Sequence, residues 1–206
     1  MPVTMVIAMT ADGKIAPVDR RPLRFGAGDL TRLEQRCAAA DALVMGAGTL
    51  RAYGTTVRPL TATPPVTCVV TASGELDLTA AWFTKQTAPR MVFTTAEGAA
   101  RLGAEGAALA AIEVGASPLR AAELYAALTD RGCADIVLLG GGACHAWWLA
   151  GAPLDAVELT LAPLMLGGAS APTPVDGPGL PCGLPLRLAA VEPAGDLLHI
   201  RYEAAR

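Results

Sequence analysis

The sequence predicts an α/β protein with a mixed central sheet. Short runs rich in Val, Ile, Leu and Thr alternate with Ala, Leu, Arg and Glu segments of helical period, as strands and helices do when they take turns along a chain. Two of the strand-to-helix joints are built of glycine, and two strand-like runs close the chain behind a long turn-rich stretch. The sheet should therefore begin parallel and finish in an antiparallel hairpin, with helices flanking it.

In order, strands are expected at about 3–9, 41–46, 65–71, 89–95, 109–114, 134–139, 155–163, 185–194 and 196–203. Helices fall at about 29–39, 48–53, 96–103, 117–130 and 142–151. Asp29 stands where it could cap the first helix, and Ser117-Pro118 reads as the start of the fourth, since Ser can cap and Pro suits the first helical position. After Leu161 the run LGGASAPTPVDGPGLPCGLP is nearly all turn-forming residues and leaves no room for a helix. The last two strands form a hairpin around Glu192-Pro193-Ala194-Gly195-Asp196. No linker or internal repeat divides the chain, so residues 1–206 are expected to form one domain.

Composition narrows the function classes. Hydrophobic residues make up 52% of the 206 and charged ones 17%, which provides for a continuous core. A net charge of -3 gives no general attraction for nucleic acid, whose phosphates need a concentrated basic face. The most apolar stretch, Ile136 to Leu154, is interrupted by glycines, His145 and Pro153, so it is not a bilayer span. The first residues lack the charged and small-residue signals of a secretory leader, and a cytoplasmic location is expected. Five scattered cysteines without CxxC spacing predict neither a disulfide framework nor a metal site, only reduced and mostly buried thiols.

Four segments could carry chemistry. The first, TADGKIA at 10–16, follows the opening strand and so lies at a carboxyl end, where open α/β sheets place ligands; it is equally an ordinary Asp-Gly turn. The second, VMGAGTLR at 44–51, ends a strand in two glycines and starts a helix. Glycine lets backbone approach a ligand, and the free N–H groups of a helix start favour phosphate. It is not a Rossmann fingerprint, because Arg51 holds the third position and no acidic residue follows about 20 residues on.

The third, LLGGGACH at 138–145, repeats the pattern with three adjacent glycines; two such turns in one sheet point to a dinucleotide held at two helix ends. The fourth is the set Arg20, Arg21, Arg24, Arg51 and Arg58, whose planar forks suit phosphate, although most arginines are simply solvated surface charges. His145, beside Trp147 and Trp148, and His199 in a late strand read as packed histidines.

With DGKIA, DALVMGAGTLRAYGTT, LLGGG, LTLAPLMLGG and APTPVDG in that order, the chain resembles the reductase domain family of bacterial riboflavin biosynthesis, whose fold is that of dihydrofolate reductase. It is similar to dihydrofolate reductase itself at Met45 to Thr49 and at Gly140 to Gly142. The resemblance implies a dihydrofolate-reductase-like three-layer sandwich and an NADPH-dependent reductase. The reaction it implies is conversion of the ribosylamino group of 5-amino-6-(5-phosphoribosylamino)uracil to ribitylamino, by hydride delivery to the sugar C1.

By position, Gly46, Gly48, Thr49, Leu50, Gly140, Gly141, Gly142 and Ala143 would face the cofactor, with Thr71 and Ser73 near its adenosine phosphate. Asp12, Arg51 and Arg58 would border the substrate, and Lys14 or Asp29 would assist a proton transfer that water can also serve. A homodimer is likewise implied. The chain departs from the family at Tyr53-Gly54-Thr55, where many members carry Asp-Asn-Pro or Asp-Asp-Pro, and at Leu139, where they carry Glu. The H-x-E and P-C-x-x-C signatures of the zinc deaminase often fused to this reductase are absent, so the chain is expected to be the reductase part alone. Reduction of dihydrofolate or another pterin, and NADPH binding without catalysis, are the alternative readings.

Overall fold

The structure is a computed structural model that describes residues 2–57 and 61–205. One nine-stranded sheet runs through it, in the spatial order β5-β4-β3-β2-β6-β1-β7-β9-β8. The strands are β1 (Val3–Thr10), β2 (Ala42–Gly46), β3 (Val66–Val70), β4 (Arg90–Thr94), β5 (Ala111–Val114), β6 (Ile136–Gly140), β7 (Ala156–Ala162), β8 (Leu186–Ala194) and β9 (Leu197–Ala204). All pairings from β5 across to β7 are parallel, and the two that involve β9 are antiparallel. The mixed sheet expected from the sequence is the one observed.

Helices cover both faces. These are α1 (Ala27–Ala38), α2 (Ala47–Tyr53), α3 (Ala81–Thr84), α4 (Ala96–Leu109), α5 (Ala121–Asp130) and α6 (Gly142–Leu149). Strand alternation sorts the core: Val44, Ile136 and Leu138 pack with Leu124, Leu128 and Trp148 of α5 and α6. On the opposite face Met45, Val69 and Val92 pack with Leu50, Trp82, Phe83 and Leu102 of α2, α3 and α4. Leu43 and Val137, on that same face, meet Cys37 of α1. The result is three layers, helices on sheet on helices.

Three expectations need correction. The fourth predicted helix does not begin at Ser117-Pro118; α5 starts at Ala121 with Arg120 at its cap position. Residues ahead of it are held by Glu123, whose Oε2 accepts from the Ala116 N–H at 2.9 Å, so this helix reaches back to fix its own approach without a capping serine. Asp29 does not precede α1 but lies in its first turn, with Gly26 at the cap position and no side-chain capping bond. There it still complements the positive end of the helix.

α4 stretches to Leu109, beyond the stop expected near Gly103. Gly103 does break the helical backbone, at φ 58 and ψ -159, but the chain resumes helix beyond it. The short α3 carries no periodic signal in four residues; it exists because Trp82 and Phe83 are buried, with Trp82 Nε1 donating to Thr67 Oγ1 at 3.0 Å.

Topology decides where a site can form. The chain runs β1, β2, β3, β4, β5 outward, then returns to insert β6 between β2 and β1 before crossing to β7. Connections thus leave the carboxyl ends of neighbouring strands in opposite directions at β6, which opens a crevice there. The glycine turns after β2 and β6 and the 10–16 loop after β1 all lie at that edge. No described helix is long and apolar enough to cross a membrane, and no described group of three or more His, Cys, Asp or Glu side chains could hold a metal ion.

Candidate active site

Three segments meet at Gly141. An added Cβ there would lie 3.4 Å from Thr49 Oγ1 of α2 and 3.8 Å from Ile15 Cδ1 of the 10–16 loop. Its lack of a side chain leaves the floor of the crevice bare. Gly48, one residue before Thr49, has nothing within 4 Å of its missing Cβ, so the first turn of α2 is open to a ligand. Neither α2 nor α6 has a side-chain cap, which leaves the first N–H groups of the α6 turn without a capping side chain.

The other glycines expected to face a cofactor do different work on their Cα side. Gly46 packs against Cys144, whose Cβ lies 3.1 Å from the position of its absent Cβ. Gly140, at φ +90, sits 3.0 Å by the same measure from His145 Cε1. Gly142 is glycine because a Cβ would fall 2.2 Å from the Thr173 carbonyl oxygen and 2.7 Å from Asp176 Oδ2. Ala143 follows it in the same first turn, and Leu50 of α2 is buried in the core.

The segment after β7 folds back over this edge, and it is the part of the site that sequence reasoning missed. Asp176 N–H donates to the Gly142 carbonyl at 3.1 Å, while Asp176 Oδ1 accepts from the Thr173 N–H at 3.0 Å and its hydroxyl at 2.7 Å. His145, fully buried, bonds through Nδ1 to the Pro174 carbonyl at 2.8 Å; burial pushes its imidazole below the ordinary 6.5. The signals were the third glycine and the APTPVDG motif, but only a contact over some thirty residues of separation joins them.

The 10–16 loop is stitched to the same segment. Gly13, at φ +76, supplies the left-handed residue that closes the turn, and its N–H donates to the Thr10 carbonyl at 2.9 Å. Asp12 accepts from the Thr10 hydroxyl at 2.5 Å, from the Gly167 N–H at 2.6 Å and from the Leu166 N–H at 3.2 Å. Those donors, the Thr10 hydroxyl foremost, lower its carboxyl to about 2. Ile15 N–H donates to the Pro172 carbonyl at 2.9 Å, and Lys14 Nζ approaches the Ala171 carbonyl at 3.4 Å. Asp12 therefore places this loop rather than pointing freely into the crevice.

On the far side of α2, Arg51 Nη1 lies 3.5 Å from the Glu75 carbonyl, about 200° round the helix from Thr49. Thr71 Oγ1 accepts from the Gly74 N–H and Ser73 Oγ from the Glu75 N–H, each at 3.2 Å, so both hydroxyls fold the loop after β3. Tyr53 stands one turn beyond Thr49, 51% exposed, with Arg24 and Asp29 as its charged neighbours; burial pushes its phenol up. Leu139, in the place of the family's Glu, packs its side chain into the core on the α2 face. Arg58 lies outside the described residues.

Solved structures of other proteins share this architecture. A pyrimidine reductase-like protein from Corynebacterium diphtheriae superposes with a TM-score of 0.84 at 19% identity, over 100% of this chain and 92% of that one. A diaminohydroxyphosphoribosylaminopyrimidine deaminase/5-amino-6-(5-phosphoribosylamino)uracil reductase from Thermotoga maritima gives 0.83 at 18% identity, over 99% of this chain. This chain spans 56% of the Thermotoga protein's length. Dihydrofolate reductase from Enterococcus faecalis, complexed with NADP(H), gives 0.59 at 14% identity, over 100% of this chain and 97% of that one. No curated protein sequence matches.

The fold is thus the dihydrofolate-reductase-like three-layer sandwich. The RibD C-terminal domain family matches residues 2–200, and the chain belongs to that family.

Proposed function

We propose that the protein is an NADPH-dependent reductase that converts the ribosylamino group of 5-amino-6-(5-phosphoribosylamino)uracil to a ribitylamino group. The observation that carries this reading is the convergence of Gly48, Thr49, Gly141 and Ile15 at one bare-floored crevice, in a chain of the RibD C-terminal domain family. The residues present fit a dinucleotide. Gly48 leaves room beside Thr49, and the first turn of α6 is free of a capping side chain for a phosphate to meet.

NADPH, when bound, supplies the hydride that reduces the acceptor carbon. The protein's own task is then placement. Thr49 and Gly141 form the cofactor wall, Ile15 supplies apolar contact beside them, and Asp12 acts through the loop it anchors. Lys14 and Asp29 are the side chains we assign to pass a proton, with water as the other source. Tyr53, exposed beside Asp29 and Arg24, replaces a family carboxylate and leaves pterin reduction as the second reading.

A homodimer belongs to the same proposal, supported by the outermost strand β8, which exposes Leu186, Leu188 and Val191 on one face of the sheet, an apolar surface that a second copy would cover. NADPH depletion is to be followed with the ribosylamino-uracil phosphate and with dihydrofolate in parallel. Turnover of the first is expected. Turnover of dihydrofolate alone moves the assignment to pterins, tight NADPH binding without turnover of either makes the protein a binding module, and no NADPH binding sinks all three.

A further inference from the structure

α1 is seated differently from the other long helices. α4, α5 and α6 each place Leu or Trp in the core, whereas of the described residues of α1 only Cys37, near its end, is buried. Leu33 packs beside it against Leu43 and Val137, and Leu30, about a turn earlier, is 51% exposed. The sheet beneath explains this. Strand register carries the face of Thr4 across β7, β9 and β8, where it bears Glu158, Thr160, His199, Arg201 and Glu192 in place of the Met45 and Val69 found under α2. An apolar helix stripe gains little on such a surface.

Ion pairs hold α1 instead. Arg32 and Arg36, four residues apart, lie on one flank of the helix. Arg36 forks onto Asp135, Nη1 to Oδ2 at 3.1 Å and Nη2 to Oδ1 at 2.7 Å. Its Nη2 also donates to Thr4 Oγ1 at 3.1 Å, and its Nε lies 3.8 Å from Glu158 Oε1, which Arg201 shares at 2.6 Å. With its side chain 15% exposed, Arg36 is the inner anchor. Arg32, 3.2 Å from Glu192 of β8, is the outer and more exposed one.

The gap that α1 borders leads into the crevice. Leu139 of β6 packs both with the core under α2 and with that under α1, so the two helices stand on either side of it. Val6 and Ala8 of β1 are only half-buried there, although β1 is an interior strand. Two residues beyond Ala8 and Leu139 the strands give way to the 10–16 loop and to Gly141. Asp29 of α1 and Tyr53 of α2 are neighbours across the gap. We propose that Arg36 is a positioning residue: through Asp135 and Thr4 it sets how far α1 stands from α2, and so which acceptor ring the gap admits beside Asp29. Held by ion pairs and by little buried apolar surface, α1 is a wall that opens locally. This rests on the reading of the crevice as a reductase site.

Arg36→Lys in the full chain keeps the charge and loses the fork. Its amides from Leu30 to Arg36 should exchange with solvent about tenfold faster than in wild type, while those of β1 and β6 keep their rates. The KM for the acceptor that wild type reduces, ribosylamino-uracil phosphate or dihydrofolate, should rise roughly 3- to 10-fold, with NADPH affinity held within about twofold. At the exposed end, Arg32→Glu should raise the same KM about 2- to 3-fold. Adding Glu192→Arg should restore it, a rescue that a general loss of stability would not give. Faster exchange in α1 with an unchanged acceptor KM would make Arg36 structural only and overturn the assignment while the reductase reading stands. An equal loss of NADPH affinity, or no rescue by the charge swap, would overturn it too. If wild type reduces neither acceptor, the reductase reading falls and the assignment falls with it.

Discussion

Gly142 and Thr173 are in contact across thirty residues of chain: a methyl group on the glycine would stand 2.2 Å from the threonine's carbonyl oxygen. The segment from 163 to 176 is thereby seated on the first turn of α6, with His145 holding Pro174 from beneath and Asp176 returning a hydrogen bond to Gly142. The glycine that looks like a cofactor contact in the sequence is required by this seat.

Gly142→Ala should therefore unseat the segment, since the obstructing atoms are backbone and cannot swing aside. A destabilisation of about 1–3 kcal/mol is expected, as for overpacking elsewhere in protein interiors. Urea unfolding measures it, and an unchanged midpoint would show that the segment has room to move.

Gly48→Leu tests the crevice from the opposite direction. Nothing lies within 4 Å of its absent Cβ, so the fold should tolerate the larger residue, with stability changed by less than about 1 kcal/mol. NADPH binding should nevertheless be lost, because the added side chain fills the approach to Thr49. Retention of wild-type affinity would place the cofactor somewhere else.

Asp12 makes the loop tether insensitive to ordinary acid. Its carboxyl is lowered from 3.8 to about 2, so the tether's contribution is complete above the ordinary value and is lost as pH falls through about 2. The amide resonances of Leu166 and Gly167 should titrate with that midpoint. Asp12→Asn should remove the titration and raise the KM for NADPH by releasing the 10–16 loop; a midpoint near 4 would deny the bonds to Gly167 and Thr10.

His145 acts with the same sign at milder pH. Burial keeps it neutral below the ordinary 6.5, so under more acid conditions the unfolded chain binds a proton that the native chain refuses. Stability should fall from about pH 6.5 downward. His145→Asn, which keeps an N–H donor for the Pro174 carbonyl, should flatten that slope between about pH 7 and pH 5 while lowering stability overall. Parallel slopes in the two proteins would refute the assignment.

Much of the frame was legible because it rests on local regularities. Alternating Val, Ile and Leu set β1, β2, β3, β4 and β6, and the turn residues after Leu161 excluded a helix. Glycine after β2 and β6 marked the crevice for a simple reason: few other residues permit so close an approach of backbone. The α3 turn escaped notice because four residues show no period and tertiary burial of Trp82 and Phe83 alone stabilises it. The helix start at Ser117-Pro118 failed because Glu123, within α5 itself, anchors the approach.

The sequence by itself determined the alternation of elements, the mixed sheet, the glycine turns and the family resemblance, all of which depend on residues near one another in the chain. Only the tertiary structure decided how the glycines divide their tasks, that Asp12 holds a loop, and that Arg51 turns from Thr49 toward Glu75. Those outcomes depend on which surface each Cα and side chain meets after the sheet inserts β6 between β2 and β1. Such neighbours come from distant parts of the chain, and no local pattern encodes them.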